Sequence, residues 1–202
     1  MLIDEVQNFV LILPIFLVSL TIHEYAHGWM AYRFGDDTTK RMGRLTLNPL
    51  SHISLIGTII MPLIAHFGWA KPVPVNFTIL TKKQIFKVAA AGPMANIFLA
   101  VVLAIGFHAF KLRSLPILGN FVLMAIMLNL ILSVFNLLPI PPLDGSKMIY
   151  AILKSPGAIN AYKFARYGMF VLIGFLVLGG FQLILPFVGL LYTLLGLPLP
   201  IL

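Results

Sequence analysis

Long apolar runs alternate with short polar segments along this chain of 202 residues. The runs lie at about residues 9–32, 53–68, 88–110, 119–142 and 164–186, and a short apolar tail follows at 187–202. Because a helix rises about 1.5 Å per residue, about 20 residues cross a hydrocarbon core of about 30 Å. The first, third, fourth and fifth runs reach that length and predict transmembrane helices. The second is shorter and contains a proline.

The basic residues between these runs predict the orientation of the chain. Eight of them flank the second run: Arg33, Lys40, Arg41, Arg44, Lys71, Lys82, Lys83 and Lys87. If residues 53–68 enter and leave the membrane by the same face, twelve of the 14 basic residues share the cytoplasmic side, and only Lys111 and Arg113 lie outside. The positive-inside rule favours this arrangement. We therefore expect a multi-pass protein of the cell membrane with a re-entrant segment at 53–68 and its N-terminus outside.

Two loop segments predict a small β element at the membrane surface. Residues 43–50 alternate apolar and polar, and residues 70–77 contain prolines that forbid a helix but suit an edge strand. The expected fold class is an all-α integral membrane protein with about five transmembrane helices, a re-entrant segment and this β element. We expect one membrane-embedded domain over residues 1–202, with a core at about 9–150 and a further C-terminal transmembrane region at about 160–202.

The composition agrees with a bilayer protein and excludes several other classes. Hydrophobic residues make up 60% of the chain, charged residues make up 10%, and cysteine is absent, whereas an ordinary soluble domain has about 25% charged residues. A soluble enzyme, a disordered chain and a disulfide-rich secreted scaffold are therefore excluded. The net charge of +8 does not indicate a nucleic-acid partner, because the basic residues are confined to segments between apolar runs.

Only six residues are acidic, and two of them stand within strongly apolar sequence. Four lie at the N-terminus or in a loop, namely Asp4, Glu5, Asp36 and Asp37. The other two are Glu24 and Asp144. Because an ionisable residue inside a span costs about 2.5–3.5 kcal/mol, these two are candidates for function. Without cysteine, any metal site here would need histidine and carboxylate ligands.

The sequence TIHEYAHG at 21–28 predicts a site for one Zn²⁺ near the cytoplasmic end of the first span. His23 and His27 are one helical turn apart and project from the same face, so both can bind one ion. Glu24 is turned about 100° around the helix axis, where it can reach a water on that ion. It could accept the proton of this water and pass it to a leaving amine. An accidental polar cluster is the alternative, but its burial in a span is costly.

A third ligand must come from elsewhere, and Asp144 in NLLPIPPLDG at 136–145 is the first candidate. The prolines before it end the fourth span and can direct it toward the membrane interior. The alternative role for Asp144 is to cap the next helix. His52 competes as a ligand, but it can instead polarise the substrate or an oxyanion, or serve as an ordinary interfacial hydrogen-bonding group.

Together these motifs resemble those of the site-2 protease family of intramembrane zinc metalloproteases. The resemblance covers about residues 18–150 and depends on HEYAH at 23–27, AAAGPMAN at 89–96 and NLLPIPPLDG at 136–145. The loop sequences GRLTLNPLSH at 43–52 and WAKPVPVN at 69–76 resemble the compact prokaryotic branch without an appended peptide-binding domain. The resemblance implies zinc ligands at His23, His27 and Asp144, a catalytic base at Glu24, and a position near the substrate strand for Asn136.

The expected activity is therefore zinc-dependent cleavage of peptide bonds in transmembrane segments of other proteins, at the cytoplasmic side of the bilayer. Two alternatives stay open. A metal-ion or proton transporter would carry further acids or histidines on several spans. A catalytically silent scaffold would hold zinc in a closed site with four protein ligands, including His52.

Overall fold

The computed structural model describes residues 2–54, 57–58, 71–153 and 158–197. Regular structure in these residues is entirely helical, so the all-α class is confirmed for them. The α-helices are α1 (Leu2–Arg33), α2 (Thr38–Arg41), α3 (Lys82–Ala109), α4 (Pro116–Asn136), α5 (Asp144–Ile152), α6 (Ala158–Val177) and α7 (Gly180–Leu194). Two short 3-10 helices cover Pro49–His52 and Leu112–Ser114.

Local sequence signals mark the ends of the two central helices. Helix α3 begins with a capping box, in which the Thr81 hydroxyl accepts the Gln84 N–H and the Gln84 side chain accepts the Thr81 N–H. Helix α4 begins with Pro116, whose missing N–H is no loss in the first turn. It ends at Asn136, earlier than the apolar run that predicted it, because the ring of Pro139 would clash with a carbonyl one turn back.

Two helices of the described chain, α3 and α4, are each long and apolar enough to cross a membrane. Helices α6 and α7 meet the same criterion only as a pair, which is bent by 77° between residues 177 and 180. The run at 164–186 is therefore not one straight helix, and five transmembrane helices are not confirmed. The predicted re-entrant run lies mostly outside the described residues, which include only 53–54 and 57–58 of it.

Helix α3 is the central element, since it contacts α1, α4 and α5. Its C-terminal half forms the largest apolar core of the described residues with α4 and α7, where small residues of α3 let the helices approach closely. The buried side chains of this core are Ala100, Ala104, Phe107, Ile126, Leu130, Val188, Tyr192 and Leu197. The N-terminal half of α3 contacts α1 and the end of α5. It meets the polar side chain of His27 through the carbonyl of Val88.

The two segments predicted to pair as a β element contain no strand among their described residues. They are still in contact, because the Arg44 guanidinium donates to the carbonyl oxygens of Lys71 at 2.7 Å and Pro72 at 2.8 Å. A side chain therefore takes backbone groups that a strand ladder would have used. The β element is not confirmed, although the predicted proximity of the two segments is.

Candidate metal centre and the segment beside it

Helices α1 and α5 bring three ligand-type side chains to one point. His23 and His27 lie one turn apart on α1, and Asp144 is the first residue of α5. The Nε2 atoms of the two histidines are 3.1 Å apart, and Asp144 Oδ2 lies 3.1 Å from the first and 3.0 Å from the second. All three residues are buried. The predicted trio is thus brought together although Asp144 follows His27 by 117 residues.

The second ring nitrogen of each histidine determines which atom faces this point. His27 Nδ1 lies 2.7 Å from the carbonyl oxygen of Val88, and His23 Nδ1 lies 2.6 Å from Oδ1 of Asn96. An amide carbonyl oxygen can only accept, so each Nδ1 carries the proton and donates it. The Nε2 atom of each neutral ring then carries a free lone pair and can only accept. Two imidazole lone pairs and one carboxylate oxygen therefore converge.

Three acceptor atoms so close together repel one another unless a cation or a proton lies among them. A tetrahedral zinc with bonds of about 2.0–2.1 Å holds its ligand atoms about 3.3 Å apart, which is close to the separations of 3.0–3.1 Å found here. Two imidazoles and one carboxylate are also a donor set of catalytic zinc. The trio therefore fits Zn²⁺. Elsewhere in the described ranges no other group of three such residues converges.

Helix α3 supplies a wall of the site at Gly92. A Cβ atom placed on this glycine would lie 2.6 Å from His23 Nε2 and would also overlap His27 Nε2. No side chain fits there, so the missing Cβ is what lets α3 pack directly against the histidine pair. The motif AAAGPMAN contains this glycine, but nothing in its spacing indicates which atoms the glycine faces.

The two carboxylate oxygens of Asp144 have different partners. Oδ2 faces the histidines, while Oδ1 accepts a hydrogen bond from Lys147 Nζ at 2.8 Å, three residues further along α5. Leu143 is the N-cap of α5, which has no side-chain capping bond, so the alternative role of Asp144 as a cap is not supported. Lys147 had no predicted role, although the spacing of three residues on a helix could have indicated the pair.

Glu24, the predicted base, is half-buried and lies outside the trio. Its Oε2 atom accepts a hydrogen bond from the backbone N–H of Val73 at 2.8 Å. Residues 71–76, named here the clasped segment, therefore run beside Glu24. The Pro74 carbonyl of this segment accepts from the Thr39 hydroxyl at 2.6 Å, which ties it to α2.

Asp36 holds the far end of the clasped segment. This buried carboxylate accepts hydrogen bonds from the backbone N–H groups of Thr38 at 3.0 Å and Asn76 at 2.6 Å. Burial alone would raise the pKa of Asp36, but the hydrogen bonds from Thr38 and Asn76 outweigh it and lower the pKa below its usual value. Asp36 was assigned only to a loop, and no sequence signal distinguished it from the neighbouring Asp37.

The two predicted substrate-contacting residues each donate to a nearby backbone carbonyl. His52 is buried at the end of a 3-10 helix, where its Nε2 donates to the carbonyl of Thr46 at 2.9 Å and its Nδ1 has no partner among the residues that the structure describes. Asn136 is the last residue of α4, and its Nδ2 donates to the carbonyl of Leu132 at 2.9 Å. His52 is therefore not part of the ligand group, and the substrate contacts of both residues stay predictions.

Comparison with known proteins adds an independent line of evidence. The family model described as Peptidase family M50 matches residues 11–115 and 111–179. The chain is 43% identical over 171 residues to "Putative zinc metalloprotease YwhC" of Bacillus subtilis (strain 168). The aligned residues are 80% of this chain and 76% of that protein.

This chain matches only part of the length of its more distant relatives. The chain is 36% identical to "Putative zinc metalloprotease Rip2" of Mycolicibacterium smegmatis, over 68% of this chain and 55% of that protein. It is 26% identical to "Zinc metalloprotease MJ0392" of Methanocaldococcus jannaschii, over 73% of this chain and 36% of that protein. No solved structure matches significantly.

Proposed function

Because the chain belongs to peptidase family M50, the site-2 protease family of zinc metalloproteases, we propose that it cleaves peptide bonds within transmembrane segments of other membrane proteins. The family predicted from the sequence motifs is confirmed, and so are the protease class and Zn²⁺ as the cofactor. The single observation that best supports the proposed site is the convergence of His23, His27 and Asp144.

We assign these three residues as the ligands of one Zn²⁺ and Glu24 as the general base. When bound, zinc polarises the scissile carbonyl and lowers the pKa of water at the site. The N–H of Val73 holds Glu24 Oε2, which leaves Oε1 to take a proton from the attacking water. The same carboxyl returns that proton to the leaving nitrogen as the C–N bond breaks, so the products are a carboxylic acid and an amine.

The clasped segment supports pairing with an unwound substrate strand. In an extended chain, the backbone groups of alternate residues point to the same side. From Pro72 to Asn76, the even-numbered residues of the segment are bonded to side chains of residues 36–44, which follow α1. Within the described ranges, the carbonyl of Val73 and both backbone groups of Val75 have no hydrogen-bond partner. This edge is therefore available to an extended peptide beside Glu24, and Asn136 and His52 are our candidates for further substrate contacts.

The protein is a membrane protein, as its family and the apolar helices α3 and α4 indicate. We place it in the cell membrane as a single multi-pass domain over residues 1–202, with the N-terminus outside and the site toward the cytoplasm. The distribution of basic residues supports this orientation. The proposed partners are transmembrane protein substrates and the lipid bilayer.

The two alternatives are less well supported. A transporter needs ionisable groups along several spans, yet residues 88–107 of α3 and all of α4 contain none. A silent zinc scaffold needs a closed set of four ligands, and His52 lies outside the trio. Within the described residues, both observations favour a catalytic site over these alternatives.

The Glu24→Gln substitution tests the proposal. Glutamine keeps a carbonyl oxygen that can accept from Val73 N–H, but it cannot take a proton. We expect the variant in liposomes to bind zinc like the wild type and to lose at least about 100-fold in cleavage of a reconstituted transmembrane substrate. The masses of the cleavage products, measured by mass spectrometry, identify which peptide bond is cleaved.

The matched control is Asp37→Asn, which makes the same chemical change at a surface carboxylate paired with Arg41. It should leave both zinc content and cleavage unchanged. Undiminished cleavage by Glu24→Gln would exclude Glu24 as the base. Cleavage of soluble peptides only, with transmembrane substrates left intact, would contradict the proposed substrate class.

A further inference from the structure

We propose that Asn129 and Asn96 form a buried relay that positions His23 for the metal. Under this proposal, a residue of α4 that contacts no ligand controls metal affinity. The inference depends on the proposed role of His23 as a ligand. Both asparagines are positioning residues, because they act through the histidine and not on the reacting atoms.

The relay joins three helices through side chains that are almost completely buried. Ser19 lies on α1, Asn96 on α3 and Asn129 on α4, with exposed fractions of 1%, 0% and 1%. Asn96 Oδ1 meets His23 Nδ1 at 2.6 Å, and Asn96 Nδ2 donates to Asn129 Oδ1 at 2.7 Å and to the Ser19 carbonyl at 3.2 Å. Asn129 Nδ2 donates to the carbonyl of Ala125 at 2.8 Å and to the Ser19 hydroxyl at 2.9 Å.

These bonds determine the direction of every amide in the relay. The carbonyl of Ala125 can only accept, so Asn129 must turn its Nδ2 toward it and its Oδ1 toward Asn96. That oxygen also only accepts, so Asn96 must present Nδ2 to it and Oδ1 to His23. His23 is therefore required to donate from Nδ1, which leaves Nε2 unprotonated and facing Asp144 and His27.

Loss of Asn129 would weaken this constraint, because only the longer bond to the Ser19 carbonyl would still hold Asn96 Nδ2. The Asn96 amide could then turn over more easily, at the cost of that bond, so that Nδ2 faced His23. The ring would then favour the tautomer protonated on Nε2, which cannot bind a metal. His27 is oriented differently, by the backbone carbonyl of Val88, so the relay acts on His23 alone. Groups of this kind behind a ligating histidine typically change metal affinity by about 10–100-fold.

The test measures zinc affinity of the purified full chain by competition with a chromogenic chelator. We expect Asn129→Leu to weaken binding about 10-fold and Asn96→Leu up to about 100-fold. Asn129→Ala removes the same bonds with a smaller side chain and serves if the leucine variant does not fold.

Two substitutions on the same helix are matched controls. Asn120→Leu makes the same change at an exposed position, and Ser133→Ala changes a buried side chain whose Oγ has no partner within the described ranges. Neither should alter zinc affinity. The visible absorption of the Co²⁺-loaded protein reports ligand geometry directly, and it should change in Asn129→Leu and stay unchanged in both controls.

The outcomes separate this proposal from the proposed function. If His23→Ala loses zinc while Asn129→Leu and Asn129→Ala bind it as tightly as the wild type, the relay is wrong and the metal site stands. If His23→Ala keeps full zinc affinity, the assigned site itself is wrong. If Ser133→Ala weakens binding as much as Asn129→Leu, the effect is one of helix packing, and the positioning role is excluded.

Discussion

The trio and the loop around His52 each contain buried histidine, but they place it in opposite chemical settings. His23 and His52 are almost equally buried, with exposed fractions of 4% and 3%. In the trio, Nδ1 donates to a fixed acceptor and Nε2 is left to face two other acceptors. In the loop, Nε2 donates to the Thr46 carbonyl, and Nδ1 meets no partner in the described part of the chain.

The difference shows that burial does not by itself identify a metal ligand. A ligand needs an unprotonated nitrogen that converges with other donors, and in the trio α1, α3 and α5 together create that situation. The partner of His52 Nε2 is only six residues away, whereas the partner of His23 Nδ1 is 73 residues away, on another helix. The comparison therefore predicts different responses to substitution in the two regions.

The largest contrast is expected between Asp144→Ala and His52→Ala. Loss of Asp144 removes one of three converging donors, so zinc affinity should fall by more than about 100-fold, which is beyond the usual effect of an outer partner. Loss of His52 should leave zinc content unchanged, because its imidazole is outside the group. Metal analysis after dialysis measures both. Zinc loss from His52→Ala would mean that the two regions share one metal site.

A second contrast compares two glycines of α3. Gly92→Ala places a methyl group against both Nε2 atoms, so we expect zinc binding to weaken at least about 10-fold and cleavage to be lost. Gly106→Ala has no neighbouring atom within 4 Å of the new Cβ, so it should stabilise the helix by about 0.5–1 kcal/mol and leave zinc binding unchanged. Equal zinc affinities of the two variants would contradict the close packing of α3 on the trio.

The smallest effect is expected at the clasped segment and is local. The pKa of Asp36 is lowered in the folded protein, so its ionised form stabilises the fold. This contribution to the free energy of unfolding is complete above the unfolded pKa of about 3.9, and it is lost as the pH falls through the lower folded pKa. Asp36→Asn should lower protection of the Asn76 amide at pH 7 about 10-fold or more, measured by hydrogen exchange.

The control for that prediction is Asp37→Asn, since Asp37 accepts from the exposed Arg41 side chain. It should leave protection of the Asn76 amide unchanged, and neither aspartate variant should change zinc affinity. Unaltered protection in Asp36→Asn would show that Arg44 and Thr39 hold the clasped segment without it.

The accuracy of prediction from sequence differed between local and distant features. The helical spacing of His23 and His27, the apolar lengths of α3 and α4, and the break in helix before Pro139 depend on neighbouring residues, and they were predicted from the chain alone. The β element was not confirmed, because side chains such as Arg44 took the backbone groups that strand pairing needed. The bend between α6 and α7 was missed, although Gly179 and Gly180 lie at it and Gly179 has a positive φ of 79°.

Residue types and spacing were sufficient to indicate a zinc protease, because two histidines one turn apart inside a costly apolar span already specify the chemistry. The contact of Gly92 with the histidines, the Lys147 bond to Asp144 Oδ1 and the direction of the Asn96 amide came only from the tertiary structure. The physical reason is that each depends on atoms of several helices meeting at one point. An asparagine in a span indicates a hydrogen bond to another helix, but only the packing of α1, α3 and α4 decides that its oxygen faces His23.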